Sequence, residues 1–485
     1  MVGFDGVTPD PEFVDFLRCE GVRSVILFAR NLRSANQGRE LIEELRSLVP
    51  WNLLIAVDQE GGAVTRLSQG VTTFPGNRAL GVSGSVDLAF RQGVESGRQL
   101  AGIGFDLNLA PVVDVNTIVD NPGIGIRSFG DDVEVTIELA NALVQGHLES
   151  GVHSCLKHFP GKGAAQVDAH FELPVIDLPL LEVMAVHVEP FRRLANSVSA
   201  VMSSHVVVPA LDDTQPATYS GRVVRQLLRE ELAFDGLLIA DDLQMGALSK
   251  LETVPNSTVR AAAAGHDLLP VCHDLEQQKL AARALHDALH GGELSMDEHQ
   301  LSMSRIIRLG RTQAFHLLGS TAEGDEVARR IAAESIVALG DPNGICPLDG
   351  ERPIHLLAME SDDFRGVFEP GDDDWISVAH RLLVERTASP VQCSRVGADG
   401  QLVGPIVEDN SVILCLTWNL STAPRALRTR MIDLIHGEKH RVVVVHVRDP
   451  FDHRLLEGGV TSFITHGFRN CQLQALFDVI LPPQR

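Results

Sequence analysis

The sequence predicts an α/β protein: a TIM-type (β/α)8 barrel over residues 1–310, a helical connector and linker over 311–350, and a smaller α/β sandwich over 351–485. Three observations predict it. Short apolar runs alternate with amphipathic helical stretches through residues 1–310. Those runs are almost continuously apolar, as strands buried on both faces of a parallel sheet must be. Polar residues able to do chemistry recur at the carboxyl ends of the runs, the face where barrels build their sites.

Strands are expected at 24–29, 53–57, 105–109, 154–156, 200–203, 237–240 and 267–271. Ser220 can N-cap a helix in which Val224, Leu227, Leu228 and Leu232 recur at helical spacing. Seven or eight such β–α units in this length favour a barrel over an open sheet. A dinucleotide-binding fold would need G-x-G-x-x-G between the first strand and helix, and the sequence there lacks it. Residues 275–335, including SRIIRLGR at 304–311, read as closing helices and connector. The Gly, Pro and Asp of GDPNGICPLDGERP, 340–353, mark a boundary. Beyond it, 354–358, 412–416 and 442–447 read as buried strands. A helix over 425–436 carries Leu427, Met431, Leu434 and Ile435 on one face, with Gly437 as its C′ residue.

At 485 residues the chain is too long for one core. No apolar run reaches the ~18 residues of a membrane span. MVGFDGVTPDPEF lacks the basic and apolar regions of a signal peptide, so a cytoplasmic protein with no membrane partner is expected. A net charge of −23 argues against nucleic acid as a partner, since a phosphate backbone is repelled by an acidic surface. The seven cysteines form no C-x-x-C pair, and Cys155, Cys272 and Cys415 lie in apolar runs as buried thiols.

The densest chemistry is KHFPGKGAAQVDAHFELP, 157–174. Asp168 and His170 have the i, i+2 spacing by which a carboxylate holds an imidazole, and a held imidazole can lend and retrieve a proton near neutral pH. They read equally as an ordinary polar loop pair. In IADDLQMG, 239–246, Asp241 and Asp242 leave a strand end, where only one of two neighbours can face the sheet axis. One is a nucleophilic carboxylate, or both are N-cap acids of the next helix. In AVDQEGGAVTRL, 56–67, Asp58 at a strand end suits vicinal hydroxyls, and Arg66 follows a double glycine. Lys157 and His158 suit the hydroxyls or carboxylates of a ligand, with a core histidine as the alternative. Arg127, in NPGIGIRSFG (121–130), either finds a buried partner or lies on the surface. Asp114 and His205 also sit at strand ends. His153, His158, His170, His205 and His273 invite a metal, but neither H-x-H on the first strand nor H-E-x-x-H occurs. No metal and no organic cofactor is expected. The serine-esterase motif G-x-S-x-G is also missing.

KHFPG followed by D-x-H and LP, with DQEGG upstream and ADDL-x-M downstream, resembles the bacterial β-N-acetylglucosaminidases of glycoside hydrolase family 3. GFDG (3–6), VILFARN (25–31), LNLAPVVDV (107–115), IRSFG (126–130) and PATYS (216–220) extend the resemblance. VVVVHVRDPFD (442–452) is similar to the sandwich of two-domain members. The resemblance implies a retaining exo-hydrolase of terminal β-linked N-acetylglucosamine, acting on peptidoglycan fragments or related oligosaccharides. It implies Asp241 as nucleophile, His170 as acid/base oriented by Asp168, and Asp58, Arg66, Arg127, Lys157 and His158 as sugar-binding residues. One departure stands out: the family commonly reads G-H-G-D/S-T where this chain reads GKGAA, 161–165. Altered loop stability or aglycone preference is the expected consequence. Gly161 and Gly163 are expected to let the loop close His170 onto the glycosidic oxygen. Two rivals share the pocket, a phosphorylase that uses phosphate in place of water and a non-catalytic muropeptide-binding protein.

Overall fold

The computed structural model describes residues 1–119, 121–310, 320–360, 374–448, 450–456 and 458–481. It divides into two units: Met1–Glu60, Val64–Thr72 and Gly84–Gly324 form the first, and Gly61–Ala63, Thr73–Ser83 and Asp325–Arg485 the second. The first contains β1 (Ser24–Leu27), β2 (Leu54–Val57), β3 (Leu107–Asn108), β4 (His153–Phe159), β5 (Ala200–Ser203) and β6 (Leu237–Ile239), paired in that order. All pairs are parallel, and the sheet is a half-barrel. Single bridges add Leu268 beside Ile239, Val271 beside Val2, and Val2 beside Val25.

Alternation within the apolar runs explains why these segments are strands. Val25, Leu27, Ile55 and Val57 pack among Leu41, Ile42, Leu45 and Leu100 of flanking helices. Their neighbours Ile26, Leu54 and Ala56 turn the other way, into a cluster with Leu107, Cys155, Ala200, Met202, Leu237 and Ile239. Both faces are therefore apolar, and each fully buried Leu or Ile contributes about 1.5–3 kcal/mol. Two buried aspartates tie the helices to the starts of strands. Asp106 accepts from Ile55 N at 2.8 Å and pairs with Arg46 at 2.9 Å. Asp267 accepts from Leu238 N at 2.8 Å, Arg229 at 2.6 Å, Ser302 Oγ at 2.7 Å and Arg305 at 3.0 Å.

Several boundaries differ from expectation. β1 stops at Leu27 because Phe28 N donates to Asn31 Oδ1, which starts a turn at Ala29–Asn31. β4 runs on to Phe159, so Lys157 and His158 lie inside it rather than after it. The run at 267–271 makes only single bridges, since the Asp267 carboxylate occupies one donor of the neighbouring strand and Pro270 has none to offer. The helix after Ser220 runs Arg222–Glu231 with wide turns, Leu232 N reaching Leu227 O; Ser220 Oγ accepts from Val223 N at 3.2 Å. Helices Leu275–His290 and Met296–Leu309 follow; of the expected connector, 311–350, residues 311–319 lie outside the described residues, and the remainder carries a helix, Ala322–Glu334, and a strand, Val337–Gly340.

The second unit holds a seven-stranded sheet of β7 (Val337–Gly340), β8 (Ile354–Met359), β9 (Val391–Val396), β10 (Leu402–Val403), β11 (Val412–Thr417), β12 (Val442–His446) and β13 (Thr461–Ile464). Their order is β10-β9-β8-β11-β12-β13-β7, parallel except for the two edge strands. The helix Arg425–Gly437 buries Leu427, Met431 and Ile435. Gly437 is its last residue and not C′; Glu438 takes the cap position. No helix among the described residues is long and apolar enough to cross a membrane.

Asp267→Ala leaves two buried or half-buried arginines without their carboxylate, so we expect a loss of about 3–5 kcal/mol. Chemical denaturation would measure it; a loss below about 1 kcal/mol contradicts the anchoring role.

Candidate active site

The sheet delivers its polar residues at strand ends. Asp58 follows β2, Asp114 ends a segment that bridges β4 through Val112, His205 follows β5, and Asp241 follows β6. The pairing of β4 with β5 slips between Lys157 and Phe159, and such an irregularity re-aims side chains. Both Lys157 and His158 consequently contribute to the polar cluster.

At its base lies Glu60, a buried carboxylate that the sequence pattern did not single out. Arg127 holds it with two bonds, Nε to Oε2 at 2.9 Å and Nη2 to Oε1 at 2.7 Å. Lys157 Nζ lies 2.7 Å from Glu60 Oε1 and 2.6 Å from Asp58 Oδ1. Burial alone would raise the Glu60 carboxyl, but Arg127 and Lys157 outweigh it and hold it at about 2. Burial likewise would lower Lys157, and Asp58 and Glu60 push it up instead. Arg66 adds a longer contact, 3.8 Å to Asp58 Oδ2. Gln59 organises the intervening turn, accepting from Arg66 N at 2.9 Å and donating to Leu67 O at 2.7 Å. The signal for Glu60 was present in DQE: residues two apart at a strand end share a face, so it follows Asp58 inward.

A second layer rests on Asp114. Its Oδ2 lies 2.7 Å from His158 Nδ1, and its Oδ1 accepts from Lys162 N at 2.7 Å. Arg127 Nη2, which can only donate, approaches His158 Nε2 at 3.4 Å. That makes Nε2 the acceptor and puts the ring proton on Nδ1, donating to Asp114. Burial, then the cations Lys162, Arg127 and Lys157, push His158 well below the usual imidazole range, so it is neutral.

Asp168 and His170 are paired as their spacing suggested: His170 Nδ1 lies 2.7 Å from Asp168 Oδ1, which also accepts from His170 N at 3.0 Å. Burial raises the Asp168 carboxyl, yet the His170 hydrogen bond and charge outweigh it and hold it low. The loop is attached to the segment after Asp241, with Gly246 N donating to His170 O at 3.1 Å and Ala247 N to Ala169 O at 3.0 Å. Gly246 permits this approach, because a Cβ there would lie 2.5 Å from His170 O.

Asp241 and Asp242 point to different surroundings. Asp242 Oδ2 lies 3.2 Å from His273 Nε2, and its carbonyl accepts from His205 Nε2 at 2.9 Å. Asp241 Oδ2 lies 3.8 Å from the Lys162 ammonium. Burial alone would raise the Asp241 carboxyl; the Lys162 ammonium, the largest opposing influence, holds it below the usual range. Neither aspartate caps a helix, since the next one begins at Gly246 behind Met245. Asp58, Asp241 and His170 keep side-chain exposures of 14%, 16% and 21%, whereas Glu60, Arg127 and Lys157 keep 2–3%, so the former are the groups a ligand reaches.

One expectation changes. The glycines of GKGAA do not argue for a mobile loop: a Cβ on Gly163 would overlap Val115 O at 1.7 Å, and one on Gly161, at φ +111, would lie 2.7 Å from His187 Cβ. Close packing requires them. His153 pairs with the Ser199 hydroxyl, His158 with Asp114, His170 with Asp168, His205 with Thr218 and the Asp242 carbonyl, and His273 with the Asp242 carboxylate; no group of three His, Cys, Asp or Glu suited to a metal occurs among the described residues.

Gly246→Ala should displace the His170 loop without replacing any polar side chain. Turnover should drop by about 10²-fold, as misplacement near 1 Å does. Steady-state kinetics beside a melting curve would check this; unchanged turnover refutes the attachment.

Residues 4–309 match the glycosyl hydrolase family 3 N terminal domain. A beta-hexosaminidase of Pseudomonas aeruginosa is 37% identical over 286 residues, 59% of this chain and 85% of that one. The structure of a glycoside hydrolase family 3 beta-N-acetylglucosaminidase from Paenibacillus sp. str. FPU-7 superposes with a TM-score of 0.88 at 29% identity, over 100% of this chain and 95% of the other. That of NagZ from Neisseria gonorrhoeae, in complex with N-trifluoroacetyl-D-glucosamine, gives 0.59 at 28%, over 69% and 97%. With more than half of its length inside the family's N-terminal domain, this chain belongs to glycosyl hydrolase family 3 and is a glycoside hydrolase.

Proposed function

We propose that the protein is a retaining exo-β-N-acetylglucosaminidase that removes terminal β-linked N-acetylglucosamine from peptidoglycan fragments or related oligosaccharides. The observation that supports this most is the attachment of the Asp168–His170 loop to residues 246 and 247, which ties a carboxylate-held imidazole to the segment that begins at Asp241. The beta-hexosaminidase and beta-N-acetylglucosaminidase relatives support the choice of sugar.

In this reading the sugar hydroxyls meet Asp58, with Lys157, His158, Arg66 and Arg127 around it. An Asp241 oxygen attacks the anomeric carbon while the bond to the leaving oxygen breaks, and His170 Nε2–H gives that oxygen its proton. Nδ1–H stays on His170 and donates to Asp168, which fixes the ring and balances its charge while it is protonated. The glycosyl ester is then cleaved by water: neutral Nε2 takes a proton from it, the water oxygen bonds to the anomeric carbon, and the Asp241 carboxylate leaves. A neutral imidazole at that stage adds no second anion beside the ester, unlike the usual carboxylate pair. We also propose that the bridges at Val2, Leu268 and Val271 complete the (β/α)8 barrel over 1–310, and that 351–485 forms an α/β sandwich to which the 311–350 segment contributes the edge strand β7.

Asp241→Ala should remain folded and lose at least about 10³-fold in turnover of an aryl β-N-acetylglucosaminide. Full activity in that variant ends the assignment. His170→Ala should slow poor leaving groups by about 10²–10⁴-fold and good ones far less; equal losses for both contradict its role as acid. A rate that depends on phosphate, with a sugar 1-phosphate product, would make the enzyme a phosphorylase. Binding of the sugar without aryl release would make it a binding protein.

A further inference from the structure

Lys162 stands where the resemblance leads one to expect histidine, and its setting is specific. Its backbone is fixed at both ends, N donating to Asp114 Oδ1 at 2.7 Å and O accepting from Asn121 Nδ2 at 3.0 Å. The glycines on either side are packed against His187 and Val115. Its side chain is 5% exposed, and its only ion-pair partner among the described residues is Asp241, 3.8 Å away.

The other cations near Asp241 are engaged elsewhere. Lys157 is held between Asp58 and Glu60, and Arg127 is clamped on Glu60. Burial pushes His158 and His205 down, so both are neutral near neutral pH. His170 faces its own partner, Asp168. Lys162 in turn faces Asp241, Asp114 and Asp168 as anions and Arg127 as a cation.

We propose that Lys162 is the positioning residue of the Asp241 carboxylate, its dedicated counter-charge through both steps of the reaction. This rests on the nucleophile reading above. When Asp241 attacks the sugar its charge disappears into an ester, and Lys162 is left as a buried ammonium without its counterion. Breaking the ester carbon–oxygen bond restores the carboxylate beside that ammonium, so Lys162 favours the second step. It also keeps Asp241 ionised as the pH falls. Burial, the leading influence on Lys162 itself, lowers its ammonium, which places the loss of this charge on the alkaline side.

The test is the pH profile and pre-steady-state course of wild type, Lys162→Met and Lys162→Arg on a 4-nitrophenyl β-N-acetylglucosaminide. In Lys162→Met the acid limb of kcat/KM should move up by about one pH unit or more, the scale of removing an opposite charge at this range. At neutral pH kcat and KM should fall together by about tenfold, with a burst of nitrophenol as the glycosyl-enzyme accumulates. Lys162→Arg should restore the limb and abolish the burst. An unmoved acid limb with no burst, in a variant that melts like wild type, overturns the proposal. If Lys162→Met does not fold, Lys162→Gln is measured in its place: a raised acid limb with a burst supports the role, and neither change overturns it. If wild type itself forms no covalent adduct, the nucleophile reading has failed instead.

Discussion

Glu60 can be a buried anion only because Arg127 and Lys157 are there, and the rest of the site follows from that constraint. Removing either cation would leave uncompensated charge in the interior, a penalty of several kcal/mol. The contacts continue outward without a break. Lys157 bridges Glu60 to Asp58, the carboxylate a ligand can reach. Arg127 touches His158, His158 is held by Asp114, and Asp114 grips the backbone of Lys162, whose side chain faces Asp241. One buried ion cluster thus relates residues of β4 and of the segments after β2 and β6.

The arrangement separates two kinds of chemistry. Asp241, low in its carboxyl range and beside an ammonium, is suited to attack and to leave. His170, hinged to Asp168 at one nitrogen, presents the other for proton transfer. The loop that carries it contacts the first residues after the Asp241 segment through backbone hydrogen bonds. Backbone attachment sets where the loop sits, and the bond to Asp168 sets how the imidazole is turned.

Much of this was legible in the sequence, for physical reasons. Asp58, Asp114, His205 and Asp241 ended runs too apolar to be anything but buried strands, so their position at one end of the sheet could be read directly. Asp168 and His170 paired as their spacing implied. What stayed hidden were polar residues whose partners are remote in the chain. Glu60 was not singled out beside Asp58 because Arg127 and Lys157 lie far along the sequence. Asp106 and Asp267 stood only as members of the runs 105–109 and 267–271, yet Asp106 anchors one arginine from a helix and Asp267 two. β9 and β10 escaped notice because QCSR is polar and half-buried and Leu402–Val403 is only two residues long. The glycines at 161 and 163 suggested motion, when their neighbours simply leave no room for a side chain.

The proposed mechanism turns on a covalent bond between the sugar and Asp241. An aryl β-N-acetylglucosaminide carrying fluorine at C5 slows formation and breakdown of the ester, so the adduct can be digested and located by mass spectrometry. One added N-acetyl-fluoroglucosaminyl group is expected on the peptide that contains 241, with fragmentation assigning it to Asp241. An adduct on Asp242 or Asp58, or release of the aryl group with inverted product and no adduct at any time, would contradict the mechanism.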